Sequence, residues 1–166
     1  YVSQVISDEN TKIISLTVTE AGYLIDQTSG GLNWDDPNLQ NDLEGKSPRS
    51  IYGLIIYGLR NRNQKPITIL SCDNISHNGD LLNRLLIEYA RKAAPELIDY
   101  LESNVTFPNS MVDRITPVTA PEDIALAEKG IGLSDHWPVP CEPFFQWVIE
   151  DHFPLGRPPF EEALVQ

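Results

Sequence analysis

The sequence predicts an α/β domain in which a Rossmann-like parallel sheet carries flanking helices. Strand-like and helix-like segments alternate along the chain, as is typical of βαβ units. Residues 12–19 and 67–72 are short runs rich in β-branched side chains, which indicates two strands, and residues 104–107 indicate a third. Residues 80–94 repeat their apolar side chains at helical spacing, which predicts the helix between the second and third strands.

Local signals give the expected bounds of the other elements. Residues 12–19 are almost continuously apolar, so we expect this strand to be covered on both faces. Gly, Asn, Asp and Pro are frequent from about residue 26 to residue 45, which predicts a long loop. Ser47 as N-cap and Pro48 at the first helical position then predict a helix start. The remaining expected elements are a helix from Pro95 to about Glu102, a short helix at 121–129, an edge or irregular strand at 137–143, and an apolar segment of ambiguous period at 144–149.

The balance of charges argues against two classes of partner. The chain has 166 residues, which suits one domain, and 24 acidic against 12 basic side chains give a net charge of −12. Proteins that bind the phosphate backbone of nucleic acids or the surface of anionic membranes need basic surfaces, so we expect neither a nucleic-acid nor a membrane partner. No apolar stretch is long enough for a membrane span, and no signal peptide is expected at the start of the chain.

Cysteine and motif patterns narrow the chemistry further. Cys72 and Cys141 are 69 positions apart without a CxxC pair or Cys/His cluster, which argues against a zinc ribbon or a disulfide framework. Reduced thiols and a cytoplasmic location are therefore expected. The HExxH, GxSxG and GxGxxG motifs are absent. The residue patterns alone thus predict a metal-independent α/β domain with a polar rim, and no particular reaction.

Three polar clusters follow the three predicted strands. They lie at residues 17–20, 72–74 and 109–114. Parallel strands point their carboxyl ends toward the same edge of a sheet, and ligands of open α/β sheets bind at that edge. We therefore expect the three clusters to converge on one rim.

Two residues of this rim have a functional and a structural interpretation. Asn74, together with Asp73, could hold the turn after the second strand by bonding the local backbone, or the Asn74 amide could donate a hydrogen bond to a developing oxyanion. Asp113 could form a local ion pair with Arg114, or its carboxylate could accept hydrogen bonds from the hydroxyls of a polyol. For each residue the spacing excludes neither interpretation, but it favours the structural one.

Several longer motifs resemble a known enzyme family. Residues 105–117, VTFPNSMVDRITP, are similar to the signature of the polyol-specific long-chain dehydrogenase/reductase family. That family includes mannitol 2-dehydrogenase, fructuronate reductase (D-mannonate oxidoreductase), tagaturonate reductase and arabinitol dehydrogenase. Further similar stretches lie, in the family's order, at residues 14–23, 71–75, 78–79, 141–144, 146–151 and 156–158. The resemblance thus covers nearly the whole chain.

The resemblance implies an oxidoreductase that uses NAD or NADP. Such enzymes transfer hydride between the nicotinamide and a secondary alcohol or ketone without a metal. Residues 1–166 would be the latter part of the N-terminal Rossmann-like domain, with the Gly-rich turn and a helical domain that carries the catalytic Lys outside this chain. No lysine here matches the family's catalytic motif, so we expect the chain alone to be inactive and the remaining domain to be its partner.

The resemblance also assigns roles to the rim residues. Asn74 matches the family Asn that donates to the reacting oxygen, which makes it both the catalytic oxyanion donor and a substrate-binding residue. Asp113 matches an Asp near the substrate. Val112, Thr19 and Glu20 match positions near the cofactor.

The resemblance leaves the substrate open between a polyol or ketose and an aldonate. Residues 107–111, FPNSM, favour the mannitol 2-dehydrogenase branch, and fructuronate reductase, an enzyme of hexuronate metabolism, is the alternative. An alternative of another class is a non-catalytic interaction module that keeps the Rossmann-like fold.

Overall fold

A three-stranded parallel sheet lies at the centre of the computed structural model, which describes residues 2–144, 146–163 and 165, with only the backbone of Asp113. The strands are β1, Ile13–Leu16; β2, Ile67–Ser71; and β3, Val105–Thr106. Their order in the sheet is β1-β2-β3, and Ile13 pairs with Thr68 while Ile67 pairs with Val105. The parallel sheet predicted from the alternating pattern is therefore confirmed.

Helices connect and cover these strands, and an antiparallel pair of strands follows them. The α-helices are α1, Val2–Ser7; α2, Thr19–Gly22; α3, Pro37–Leu43; α4, Ile51–Leu59; α5, Asn78–Ala93; α6, Ile98–Asn104; and α7, Pro121–Ile131. Short 3₁₀ helices occupy Pro95–Leu97 and Phe160–Ala163. The antiparallel pair consists of β4, Ser110–Asp113, and β5, Gln146–Ile149.

The core forms between β2 and the helices α4 and α5. Every residue of β2 is buried, because this strand lies between two others and is covered by helices. Helix α5 buries Leu82, Leu85 and Leu86 completely, as its helical spacing predicts. Strand β1 has no fully buried residue, so the expectation of a strand covered on both faces is wrong. In the described sheet β1 pairs with β2 alone, which leaves its outer side partly open.

Helix α4 begins later than the sequence predicts. Its N-cap is Ser50, whose hydroxyl accepts a hydrogen bond from the Gly53 N–H at 3.0 Å, and the predicted start at Ser47 and Pro48 is wrong. The carboxylate of Asp42 decides between the two serines, because it accepts hydrogen bonds from the Ser50 N–H at 2.9 Å and the Ser50 hydroxyl at 2.6 Å. A contact eight positions away along the chain thus sets the start of this helix.

Helix α3 lies inside the segment predicted as a long loop. Asp36 is its N-cap and accepts from the Asn38 N–H at 2.8 Å, while Pro37 occupies the first helical position. Both are ordinary signals for a helix start. The helix was missed because Gly, Asn, Asp and Pro are frequent in the surrounding segment, and this composition is typical of a loop.

The second half of the chain differs most from the expected pattern. The cluster at 109–114 contains a strand, β4, and the described part of 137–143 contains none. The helix predicted at 121–129 is confirmed as α7, but none of its described residues is fully buried. The ambiguous segment at 144–149 contributes β5, and its Phe145 lies outside the described residues. Among the helices described, none is both long and apolar enough to cross a membrane.

Arg62 is completely buried between α4 and β2 and joins the start of the chain to the sheet. Its guanidinium donates hydrogen bonds to backbone carbonyl oxygens rather than to a carboxylate. The carbonyls belong to Ile6, Asp8, Glu9, Thr11, Lys65 and Pro66. A single planar side chain with five N–H donors therefore satisfies the backbone of two separate segments.

Candidate functional site at the carboxyl ends of the strands

The carboxylate of Asp73 binds the segment that follows β1. It accepts hydrogen bonds from the backbone N–H of Val18 at 3.0 Å and of Thr19 at 2.9 Å. The buried hydroxyl of Tyr23 donates to the same carboxylate at 3.0 Å and shares a 2.6 Å hydrogen bond with Ser71. Asp73 comes two residues after β2, so these bonds fix the ends of β1 and β2 relative to each other.

Thr19 has a strained backbone at this position. Its φ of +62° lies in the left-handed region, which is rare for a β-branched residue. The N–H bond to Asp73 holds the conformation, and the side chains of Thr19 and Glu20 are exposed at the start of α2. Strain of this kind is concentrated at functional sites, because the surrounding structure must maintain it.

The buried side chain of Asn78 joins the second and third polar segments. Its amide nitrogen donates to the carbonyl oxygens of Ser71 at 3.2 Å and Ser110 at 3.0 Å, and its amide oxygen accepts from the Ser110 N–H at 2.9 Å. The Ser110 hydroxyl also donates to the Ser71 carbonyl at 2.6 Å. Together with the bonds of Asp73, these contacts bring the backbones of all three predicted clusters to one rim.

Asn109 caps the N-terminus of helix α5 from a distant segment. The residue at the N-cap position, His77, has a left-handed backbone and makes no capping bond with its side chain. The amide oxygen of Asn109 accepts instead from the N–H groups of Gly79 at 2.9 Å and Asp80 at 3.1 Å. A Cβ at Gly79 would collide with the carbonyl oxygen of Phe107, so only glycine allows this approach.

Asn74 is exposed at the rim and lines an open cavity of about 480 Å³ with His77, Met111 and Glu150, among others. Within the described chain its side chain makes no hydrogen bond. The turn is held by other groups, since Ile75 N–H donates to the Asp73 carbonyl at 2.8 Å and Asn78 donates to the same oxygen at 3.0 Å. The turn-holding interpretation of Asn74 therefore finds no contact to support it.

Val112 and Asp113 lie in β4, directly after Met111, which lines this cavity. Val112 is half-buried and pairs with Trp147, and the backbone of Asp113 pairs with Gln146. The Asp113 side chain lies outside the described atoms, so its expected contact with substrate and the alternative ion pair with Arg114 both stay predictions. The Arg114 guanidinium donates to the Glu142 carbonyl at 3.1 Å.

The ionisable groups beside Asp73 are held in their neutral forms. Burial raises the pKa of Tyr23 to about 12, and the bond to Asp73 raises it further while that to Ser71 opposes the shift. Burial and the neighbouring Asp73 also raise the pKa of the Cys72 thiol. No group of His, Cys, Asp and Glu among the described residues could hold a metal ion. The site is thus a set of fixed donors and acceptors.

Sequence reasoning named the clusters but missed the residues that assemble them. Asn78 and Asn109 had no structural role assigned, and Asp73 was expected only to hold its own turn. The available signal was the Asn-Gly pair at the start of the predicted helix, of which Asn78 is the first residue. Its partner, Ser110, lies 32 positions away, and nothing local indicates that pairing.

Three parallel strands with crossover helices and one polar rim at their carboxyl ends define a Rossmann-like domain. Comparison with known families agrees, because the family described as "Mannitol dehydrogenase Rossmann domain" matches residues 2–162. The chain belongs to that family. The family resemblance carried by the sequence motifs is therefore confirmed.

Curated relatives and solved structures extend the match over the chain. The chain is 46% identical over 162 residues to mannitol 2-dehydrogenase of Pyrenophora tritici-repentis, covering 95% of this chain and 29% of that protein. It is 47% identical over 164 residues to mannitol 2-dehydrogenase of Aspergillus fumigatus, covering 95% and 32%. The chain thus spans about a third of the length of these relatives.

Two solved structures share the fold. A substrate-free D-sorbitol dehydrogenase superposes with a TM-score of 0.86 at 40% identity, over 99% of this chain and 35% of that one. The Pseudomonas fluorescens mannitol 2-dehydrogenase ternary complex with NAD and D-mannitol superposes with a TM-score of 0.84 at 40% identity, over 99% and 34%.

Proposed function

We propose that this chain is part of the nicotinamide-cofactor-binding domain of a polyol dehydrogenase that oxidises a sugar alcohol to a ketose. The observation that carries the proposal is the single rim built by Asp73 and Asn78, in a chain 40% identical to an enzyme solved with NAD and D-mannitol. The names of these relatives favour a polyol over an aldonate. A cytoplasmic location is part of the proposal and agrees with the two free cysteines.

The division of the protein is part of the same proposal. Residues 1–166 would form the latter part of the N-terminal domain, and the Gly-rich turn and the catalytic Lys would lie elsewhere in the protein. The chain's length, about a third of its relatives, supports this division. We therefore expect the rest of the protein to supply the general base that alcohol oxidation needs.

The rim suits the proposed cofactor because exposed side chains lie on a backbone that hydrogen bonds hold in place. When bound, NAD or NADP would accept or supply the hydride. Thr19 and Glu20 are exposed where Asp73 fixes the backbone, and Val112 offers an apolar side chain on β4. These three residues would hold the cofactor, and the hydrogen bond to Asp73 already fixes the left-handed backbone at Thr19.

The substrate would be oriented by Asn74 and Asp113. The Asn74 amide is exposed, makes no described hydrogen bond and lines a cavity, so it is free to donate to a substrate oxygen. A donor of this kind stabilises partial negative charge on the reacting oxygen without changing its own protonation state. The Asp113 carboxylate would accept hydrogen bonds from neighbouring hydroxyls.

The proposal is tested with the purified full-length protein that contains this chain. We expect NADH to form from NAD⁺ and D-mannitol faster than from NAD⁺ and D-mannonate, followed by absorbance. A folded protein that binds neither cofactor nor polyol would contradict the proposal and support the non-catalytic interaction module. Faster turnover of mannonate would instead show that the substrate is an aldonate.

A further inference from the structure

A second cavity lies at the far end of helix α5, about 20 Å along the helix axis from the rim. Its volume is about 280 Å³, and Asp42, Lys46, Arg60, Tyr89 and Lys92 contribute to its walls. These residues come from three separate places in the chain: the end of α3 and the turn after it, the end of α4, and the last turns of α5. Neither the family resemblance nor the proposed reaction uses this cavity.

Tyr89 contributes a hydroxyl to the cavity wall. The residue is 2% exposed, and its ring stacks between Trp34 at 6.3 Å and Tyr52 at 5.9 Å, centroid to centroid. No hydrogen bond to this hydroxyl occurs in the part of the chain that the structure describes. The ring is buried, but the hydroxyl is not among the fully enclosed polar atoms that lack a partner, so it can donate to a ligand in the cavity.

The nearby carboxylate does not serve as that partner. The oxygens of Asp42 already accept from the N–H groups of Arg49 and Ser50 and from the Ser50 hydroxyl. Burial, with Asp42 close by, raises the pKa of Tyr89 to about 12, and Arg60 opposes the shift. The phenol is therefore a neutral donor at physiological pH, held in place by its stacked ring.

The cavity is basic although the chain as a whole is acidic. Three cations, Lys46, Arg60 and Lys92, line it against one carboxylate, which leaves +2 in a chain of net charge −12. Lys46 and Arg60 pair with Glu44 and Glu96, but both glutamates are more than half exposed and do not line the cavity. Lys92 lies 4.3 Å from the Trp34 ring centroid, and no carboxylate among the described residues pairs with it.

We propose that this cavity binds a small phosphomonoester, with the phosphate held by the three cations and by a hydrogen bond from the Tyr89 hydroxyl. A phosphomonoester carries a charge of about −1.5 to −2, which matches the charge of the lining. The volume of about 280 Å³ lies just below the range typical of small-molecule sites, about 300–1,000 Å³, which suits a small phosphomonoester.

The test is calorimetric titration of the purified protein with glycerol 3-phosphate, inorganic phosphate and glycerol. We expect glycerol 3-phosphate to bind more tightly than inorganic phosphate, and glycerol not to bind. Tyr89→Phe removes the hydroxyl and keeps the stacked ring, and it should weaken binding roughly tenfold or more, because hydrogen bonds to charged groups contribute most. Lys92→Gln should also weaken binding and make it less sensitive to salt.

Lys129→Gln on exposed helix α7 is the matched control and should bind like the unsubstituted protein. Basic residues at helix C-termini also stabilise the helix dipole, so melting temperatures are measured alongside. The proposal is overturned if glycerol 3-phosphate does not bind, if inorganic phosphate or glycerol binds equally well, or if Tyr89→Phe and Lys92→Gln leave its affinity unchanged. If glycerol 3-phosphate bound at the candidate rim instead, these two substitutions would leave its affinity unchanged.

Discussion

The carboxylate of Asp73 holds Thr19 in a left-handed backbone conformation through a 2.9 Å hydrogen bond from the Thr19 N–H. The two residues are 54 positions apart, at the ends of neighbouring parallel strands. One buried acidic side chain thus sets the backbone of the segment proposed to contact the cofactor. The strain at Thr19 is maintained by the packed rim around it, and this connects the stability of the rim to its function.

Asp73→Asn is expected to lower both stability and cofactor affinity. The amide keeps one acceptor oxygen but turns an NH₂ group toward donors, which should cost about 1–3 kcal/mol. Chemical denaturation and NAD⁺ titration of the full-length protein measure the two effects. Asp35→Asn, at an exposed position, is the control and should change neither. Unchanged NAD⁺ affinity in Asp73→Asn would show that Thr19 is not positioned for the cofactor.

If the full-length protein is the proposed dehydrogenase, Asn74→Ala is expected to lower its kcat by roughly 10²–10³-fold, or about 3–4 kcal/mol, with little change in Tm. The amide would stabilise charge that develops in the transition state, and the exposed side chain makes no described hydrogen bond that supports the fold. Steady-state kinetics and thermal melting separate these effects. Asn61→Ala, which is also exposed, is the control. A drop of several degrees with kcat within about threefold of the original would support the turn-holding interpretation.

Tyr23 is expected to make the fold sensitive to alkaline pH. Its folded pKa of about 12 lies above its ordinary value of 10.0, so the folded state keeps the proton longer than the unfolded state. Its contribution to stability is therefore complete below pH 10 and is lost as pH rises toward about 12.

The variant Tyr23→Phe tests this pH dependence through Tm measured from neutral to alkaline pH. It should melt lower at neutral pH, because Asp73 loses a donor, and its Tm should fall less between pH 10 and about 12. Tyr57→Phe, at an exposed position, should follow the unsubstituted protein. Parallel curves for Tyr23→Phe and the unsubstituted protein would contradict the assignment.

Arg62→Met is expected to destabilise the fold by about 3 kcal/mol or more. The substitution keeps apolar volume but removes the donors for carbonyl oxygens of two segments, and unpaired buried groups are costly. Arg62→Lys should recover only part of this loss, because the three N–H donors of an ammonium group all lie on one nitrogen and cannot reach as many carbonyl oxygens. Urea denaturation measures the change, with exposed Arg91→Met as the control. A loss below about 1 kcal/mol would show that water replaces the guanidinium.

Local patterns determined the fold class. The β-branched run at 67–72 and the helical spacing at 80–94 specify a buried strand and the helix after it, because side-chain periodicity depends on neighbouring residues alone. The motif at 105–117 indicated the family, which the match over residues 2–162 confirmed. The order of polar clusters after successive strands also indicated where the rim would form.

The tertiary structure decided which side chains build the rim and where helix α4 begins. Asp73 reaches Thr19, Asn78 reaches Ser110, and Asp42 selects Ser50 over Ser47. Each of these bonds depends on the register of strands or the packing of loops, and many polar residues in the sequence could equally have formed them. A hydrogen bond between distant residues is fixed only when the folded backbone brings one donor and one acceptor within about 3 Å, and local sequence carries no record of that distance.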